Sequence, residues 1–111
     1  MTQPTFDWNE CLRLSNNKES LAKDLLDMLE KELPSYQVGL KKEIQANNLE
    51  KLGQQVHKLH GACCYTGVPR LKQLTEQLES QIKSHKKDQL VSLVQQIDQE
   101  INAVLKAIKN R

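Results

Sequence analysis

The chain of 111 residues is 38% hydrophobic and 27% charged, proportions that fit one globular domain over residues 1–111 with one modest core. Its formal net charge of +2, from 16 Lys and Arg against 14 Asp and Glu, is too balanced to indicate a nucleic-acid-binding protein. No apolar run approaches the roughly 18 residues that span a membrane, and the N-terminus has no signal-peptide pattern, so we expect a cytoplasmic location without direct membrane contact.

Two helices are predicted in the first part of the chain. A short helix over residues 6–14 has Asp7 as its N-cap. A long helix over residues 18–46 follows, with Asn17 in position to cap its first turn. The phase of its apolar series continues through Pro34, so we expect one kinked helix rather than two. The members of that series repeat with helical periodicity: Leu21, Leu25, Leu26, Leu29, Leu33, Tyr36, Leu40 and Ile44.

Three further helices are predicted, over residues 49–65, 69–84 and 88–109. Gly67 is expected in the left-handed conformation after the third helix, and Pro69 fits the first turn of the fourth. Steps of three and four residues mark the buried face of the third helix: Leu49, Leu52, Val56, Leu59 and Cys63.

The connections between these helices are short. Asn47 and Asn48 end the second helix, while residues 84–87 form the last turn and Asp88 is placed to cap the final helix. Four long amphipathic helices with short connections predict an all-α, antiparallel four-helix bundle, to which residues 6–14 add a short extra N-terminal helix.

The third helix carries the residues that point to function. Gly53, His57 and Gly61 are four residues apart and therefore share one stripe of the helix. Each glycine inside a helix costs roughly 1 kcal/mol relative to alanine, so two around one histidine are expensive for a purely structural helix. Their missing side chains would let another surface approach the imidazole closely.

Both histidines of this helix are expected to reach solvent. His57 and His60 each follow a residue of the buried series by one position, which places them on a flank of the helix. An exposed neutral imidazole is a competent nucleophile at cytoplasmic pH. Without other catalytic groups it would attack an already activated electrophile, such as an acyl phosphate.

Residues 57–61 read His-Lys-Leu-His-Gly and are followed by Gly67. This pattern resembles the signature of histidine-containing phosphotransfer (HPt) domains, His-x-Leu-Lys-Gly with a further glycine a few residues on. The resemblance covers nearly the whole chain and is to the C-terminal HPt module of tripartite hybrid sensor kinases of the BarA and GacS kind. The segments that carry it outside the signature are Phe6-Asp7-Trp8, residues 21–26 before Leu33-Pro34, and Tyr65, Gly67, Val68 and Pro69.

The resemblance implies roles for individual residues. His57 would be the phosphorylated residue, at Nε2, and Gly61 would be the small residue that admits the partner. His60 stands where many HPt domains carry lysine, and it could still donate a hydrogen bond to the phosphoryl group. The other supporting residues are Gly53 beside the histidine and three candidate donors, which the sequence alone does not rank: Gln54, Lys58 and Arg70.

The resemblance also implies a place in a phosphorelay. A receiver domain of a hybrid sensor kinase would donate a phosphoryl group from its aspartate, and a response-regulator aspartate would accept it from this chain. The receiver would supply Mg²⁺, so this chain would need no cofactor. It should not use ATP, because its glycines are not clustered after a strand as in a nucleotide-binding loop. We expect a monomer, either free-standing or the cytoplasmic end of a membrane-anchored kinase.

Two other classes of protein remain open. A structural metal site could use His57, His60 and Cys64, with Cys63 adjacent, since zinc accepts imidazole and thiolate ligands. A helical adaptor could bind a protein partner through its amphipathic surface without phosphoryl chemistry. The odd number of cysteines, the third being Cys11, indicates reduced thiols.

Overall fold

The computed structural model describes residues 3–84 and 86–110. Within these ranges there is no strand, and no helix is long and apolar enough to cross a membrane. The predicted all-α class is confirmed, as are the number and order of the helices. The helices are α1 Trp8–Leu14, α2 Glu19–Gln45, α3 Leu49–Cys63, α4 Pro69–Ile82 and α5 Lys87–Lys109.

Helices α2 to α5 form the predicted four-helix bundle. Each of these helices contacts the next, and α5 returns to contact α2, while α1 packs against α2. Neighbours that contact each other across short connections run antiparallel. The core at the centre of the bundle is mainly Leu, Ile and Val from all four long helices. The site-bearing helix α3 therefore lies between α2 and α4.

Most side chains of the predicted apolar series are buried. In α3 the side chains of Leu52, Val56, Leu59 and Cys63 are buried, as predicted. The placement of Leu21 in the core was wrong, because its side chain is 43% exposed whereas its neighbour Ala22 is fully buried. The Cys11 thiol lies 3.9 Å from the Ala22 carbonyl oxygen. A small side chain therefore faces α1 here, where the two helices approach closely.

The predicted cap at Asp7 is present, and Asn48, which was predicted only to end the second helix, is the N-cap of α3. The Asp7 carboxylate accepts a hydrogen bond from the Glu10 amide at 3.1 Å, and Asn48 caps α3 by accepting from the Lys51 amide at 3.2 Å. Pro69 occupies the first turn of α4, as expected. These contacts satisfy amide groups that a helix N-terminus leaves without intrahelical partners.

Two other predicted caps are wrong. Lys18 and not Asn17 is the N-cap of α2, because Asn17 has a φ of +60° and belongs to the turn after α1. Asparagine tolerates the left-handed backbone region better than most residues, so Asn17 forms part of the turn and does not cap the helix. Lys86 is the N-cap of α5, and Asp88 lies inside the first turn of that helix. There its negative charge still interacts favourably with the positive end of the helix dipole.

Several helix ends differ from the predicted bounds. α3 ends at Cys63 and not at residue 65, and α4 ends at Ile82 and not at residue 84. α1 begins at Trp8, two residues later than predicted. Helix ends read from periodicity are uncertain by this amount because the last turns fray into non-helical hydrogen bonding. Position 85 in the predicted turn at 84–87 lies outside the described residues.

α2 is continuous from residue 19 to residue 45 with Pro34 inside it, as the phase of its apolar series predicted. Leu33 is buried immediately before Pro34, and the proline itself is exposed. The loss of one backbone hydrogen bond is therefore accommodated at the surface of the bundle. The expected kink stays a prediction.

Gly67 lies between α3 and α4 in sequence and contacts the start of α1. It has the predicted left-handed conformation, with a φ of +68°. Its carbonyl oxygen accepts a hydrogen bond from the Asp7 amide at 2.8 Å. A Cβ atom at position 67 would lie 2.5 Å from the Asp7 carbonyl oxygen and 2.9 Å from the Cys11 amide nitrogen. Both the backbone conformation and the close approach of α1 therefore require glycine.

We predict that Gly67→Ala lowers the free energy of unfolding by about 1–3 kcal/mol, because it adds backbone strain and a steric clash at once. Gly61→Ala is the matched control, since a Cβ atom there meets no described atom within 4 Å. The control should leave stability unchanged or raise it by up to about 1 kcal/mol. Urea denaturation followed by circular dichroism measures both. Equal stability of the two variants would contradict this account of Gly67.

Candidate functional site

His57 lies on the exposed flank of α3. Its side chain is 75% exposed, although Val56 and Leu59 on either side in sequence are fully buried. At 100° per residue, position 57 lies roughly 130° from the mean direction of the buried series. The same helix that fills the core with leucine and valine thus holds one imidazole in solvent.

Glu79 of α4 holds the His57 ring in place. His57 Nδ1 lies 2.6 Å from Glu79 Oε2, and the Glu79 side chain is 35% exposed. An ionised carboxylate only accepts hydrogen bonds, so this contact favours the neutral tautomer with its proton on Nδ1. The lone pair is then at Nε2, on the far side of the ring from α4. A ring whose tautomer and orientation are set by a neighbouring group is the arrangement that an activated nucleophile requires.

Sequence reasoning missed Glu79. It lies 22 residues after His57, and nothing in the sequence sets the register between α3 and α4. A weak signal was present, because Glu79 follows the buried Leu78 by one position just as His57 follows the buried Val56. Two polar residues with the same offset on adjacent antiparallel helices can face each other.

The two glycines beside His57 are not equivalent. A Cβ atom on Gly61 would meet no described atom within 4 Å, so the surface next to the ring is open there. A Cβ atom on Gly53 would lie 3.9 Å from Ile82 Cδ1, an ordinary contact with α4. Openness at Gly61 agrees with the expected access to the imidazole. Gly53 instead lies where α3 approaches α4.

His60 does not reach solvent as expected. The residue is half-buried, and its Nε2 atom is shielded from solvent without a hydrogen-bond partner among the described residues. Position 60 lies only about 70° from the mean direction of the buried series, against about 130° for His57. Proximity in sequence to a core residue was therefore an insufficient guide to exposure.

The candidate donors are placed differently. Gln54 and Lys58 are exposed on α3 beside His57. Arg70 lies nine residues before Glu79 on α4, about 14 Å along the helix axis. Its guanidinium contacts the Glu100 carboxylate at 3.5 Å and the Thr5 hydroxyl at 3.4 Å. The structure thus groups Gln54 and Lys58 with His57 and directs Arg70 towards α5.

A shallow apolar groove lies between α2 and the end of α3. Its volume is about 130 Å³, and Met28 and Tyr65 on its walls are 55% and 60% exposed. Ala62 contributes to the same groove directly after Gly61 in sequence. Exposed large apolar side chains around such a groove are typical of a protein-binding surface.

The metal-site alternative finds no geometric support among the described residues. Over residues 3–84 and 86–110, no group of three or more His, Cys, Asp or Glu side chains is arranged to hold a metal ion. Burial raises the pKa of the Cys63 thiol to about 12. A buried, protonated thiol packs as a small apolar group and is a poor ligand.

Comparisons with known proteins agree on one family. The model of the Hpt domain family matches residues 24–107. The signal transduction histidine-protein kinase BarA of Shigella flexneri is 37% identical over 99 residues, which are 85% of this chain and 11% of that protein. The sensor histidine kinase GacS of Pseudomonas protegens is 38% identical over 78 residues, which are 70% of this chain and 8% of that protein. The chain therefore spans about a tenth of these relatives.

A solved structure has the same fold. It is the HPT domain from a sensor hybrid histidine kinase of Shewanella, with a TM-score of 0.89 and 32% sequence identity. The superposition covers 96% of this chain and 92% of that domain. The likeness thus extends over the short N-terminal helix as well as the bundle.

We predict that the neutral His57 ring is protonated at Nδ1 in the wild-type chain and loses that preference in Glu79→Ala. Over the part of the chain that the structure describes, Glu79 is the hydrogen-bond partner of the ring, and the side chain is otherwise largely exposed. The ¹⁵N chemical shifts of the two ring nitrogens, measured where the ring is neutral, identify the protonated atom. Glu76→Ala, an exposed glutamate of the same helix, is the control. Unchanged ring shifts in Glu79→Ala would contradict the assigned contact.

Proposed function

This chain belongs to the Hpt domain family, and we propose that His57 is the residue on which it carries a phosphoryl group. The observation that supports this assignment is the single contact between His57 Nδ1 and Glu79 Oε2 at 2.6 Å. It leaves Nε2 as a free nucleophile on a ring that is 75% exposed. The chain acts as an intermediate in a two-component phosphorelay and has no ATP-dependent activity of its own.

The first transfer is an in-line displacement. The Nε2 lone pair of neutral His57 attacks the phosphorus of an aspartyl phosphate, the nitrogen–phosphorus bond forms, and the bond from phosphorus to the acyl oxygen breaks. The aspartate carboxylate leaves with the electron pair. The product ring bears a positive charge, because Nδ1 keeps its proton while Nε2 carries the phosphoryl group. The second transfer reverses these bond changes on another aspartate.

Glu79 is a positioning residue in both directions. Its carboxylate directs the lone pair to Nε2 before attack and then faces the positive charge of the phosphorylated ring. A hydrogen bond to a charged group is worth about 1.5–3 kcal/mol. Stabilising the charged ring favours accepting the phosphoryl group, while at 35% exposure the carboxylate is screened enough for release to remain possible.

The partners follow from the shape and chemistry of this surface. We propose that a receiver domain of a hybrid sensor kinase and a response regulator dock in turn over Gly61 and the groove that contains Met28 and Tyr65. Gln54 and Lys58 are the candidate donors to the phosphoryl oxygens. The receiver supplies the Mg²⁺ that the transfer needs, so we propose no cofactor for this chain.

The wider setting is also a proposal. The relatives are sensor kinases of which the matched segment is 11% or less. We propose that this chain works in the cytoplasm, as a monomer, either as the terminal part of such a kinase or as a separate carrier. Burial of the four apolar faces within one bundle supports the monomer.

We predict that His57→Gln abolishes phosphoryl acceptance from a phosphorylated receiver while helicity and melting temperature stay nearly unchanged. The side chain is 75% exposed, so its loss removes little packing. Transfer of radiolabelled phosphoryl group, followed on gels, measures acceptance. His60→Gln is the control and should still be labelled. Retained labelling of His57→Gln would refute the assignment, and retained partner binding without labelling of wild type would favour the adaptor.

We predict that Gly61→Leu blocks transfer although His57 is still present. A leucine side chain would project into the open space beside the ring and prevent close approach of a receiver. Because Gly61→Ala adds only one methyl group there, it should retain much more activity than Gly61→Leu. The transfer assay compares the two variants, and circular dichroism verifies that both are folded. Normal transfer by Gly61→Leu would contradict the role of access.

A further inference from the structure

The apolar groove between α2 and the end of α3 has one charged side chain in its walls. Among the described residues that line it, only Glu32 of α2 carries a charge, and the others are leucine, methionine, alanine, tyrosine and threonine. Met28 and Glu32 are four residues apart, so their side chains are neighbours on the surface of α2. A carboxylate therefore lies beside the exposed apolar surface of this groove.

The Glu32 carboxylate is not neutralised within the described part of the chain. The residue is exposed, and none of the ion pairs between described residues includes it. Burial, and after it the negative charge of Glu32, raises the pKa of the Tyr36 hydroxyl one turn further along α2. The field of this carboxylate therefore extends over the surface next to the groove.

The other polar side chains of the groove do not compete for a charged ligand. The Thr66 hydroxyl donates a hydrogen bond to the Ala62 carbonyl oxygen at 3.0 Å. The Tyr65 side chain is exposed and contributes a large, mainly apolar ring. The groove thus offers a partner an apolar surface with one negative charge at its side.

The groove has room for one branched aliphatic side chain. Its volume is about 130 Å³, slightly less than the roughly 150 Å³ of a cavity that holds one benzene molecule. Ala62 in its wall lies five residues after His57, about 7.5 Å along the axis of α3. A partner domain with a radius of gyration of about 13 Å, which is typical of 100 residues, is wide enough to reach the ring and cover the groove together.

We propose that Glu32 is a specificity-determining residue, which selects receiver domains that place a lysine or arginine beside the aliphatic side chain they insert into this groove. Opposite charges across an interface favour the correct partner and speed association, whereas like charges exclude a wrong one. A receiver with an acidic side chain at the same place would meet the Glu32 carboxylate. The inference rests on the docking proposed above, because it concerns the same surface and the same partners.

The test measures docking and phosphoryl transfer separately. The full ¹⁵N-labelled chain is titrated with the unphosphorylated receiver domain of a hybrid sensor kinase, and amide chemical shifts give the affinity. The same receiver, phosphorylated, is then used in the transfer assay. We expect saturable shifts for residues 25–32 and 61–66 of the wild-type chain.

Glu32→Lys should raise the Kd for the receiver by at least about tenfold at low ionic strength, because it places like charges together. The difference from wild type should shrink as salt is added, since exposed charges are screened. The rate of transfer at saturating receiver should be unchanged, because Glu32 acts on docking. Glu32→Asp keeps the charge and should bind nearly as wild type does. Glu32→Gln should show a smaller loss of the same sign, which keeps the test decisive if Glu32→Lys does not fold.

Asp88→Lys is the matched control. It makes the same change of net charge at an exposed position of α5, a helix without contacts to α3 among the described residues, and should bind as wild type does. Undiminished binding by folded Glu32→Lys and Glu32→Gln, equal weakening by Asp88→Lys, or absence of saturable shifts at the groove would overturn the proposal. Binding that depends on Glu32 without any labelling of His57 would instead refute the proposed phosphoryl transfer and leave this inference standing.

Discussion

The hydrogen bond between His57 Nδ1 and Glu79 Oε2, 2.6 Å long, is the contact on which the proposed chemistry depends. It joins two helices whose positions are set elsewhere, by the burial of Val56 and Leu59 in α3 and of Leu78 in α4. The bundle therefore fixes the register, the register brings the carboxylate to the ring, and the carboxylate directs the lone pair to Nε2. A slip of one turn between α3 and α4 would leave an exposed histidine without a fixed tautomer.

The reactive ring and the stability of the fold are separated in space. The core lies on one side of α3, whereas His57 and the open surface at Gly61 lie on the other. Gly67 has a structural role instead, because its backbone is left-handed and α1 approaches it closely. The two glycines on either side of the end of α3 thus serve different purposes. Gly61 leaves open space into which we propose that a partner docks, and Gly67 leaves room for the backbone of α1.

The features that could be predicted from the sequence are those that depend on hydrophobic periodicity and local motifs. Leu52, Val56 and Leu59 specified the buried face of α3, and the apolar phase across Pro34 predicted one continuous α2. Glu79 could not be found in this way, because its partner is 22 residues away and the register between helices depends on packing of the whole core. His60 was misplaced because one core neighbour does not determine exposure. Asn17 was wrongly predicted to be a helix cap because helix caps and turns favour the same residue type.

The most direct test of this account is the identity of the phosphorylated atom. The ¹⁵N-labelled chain is phosphorylated by a receiver domain, and ³¹P–¹⁵N coupling then shows which ring nitrogen carries phosphorus. The account predicts phosphorus on Nε2 of His57, with the proton remaining on Nδ1 beside Glu79. Phosphorus on Nδ1 of His57, or on any other residue, would contradict it.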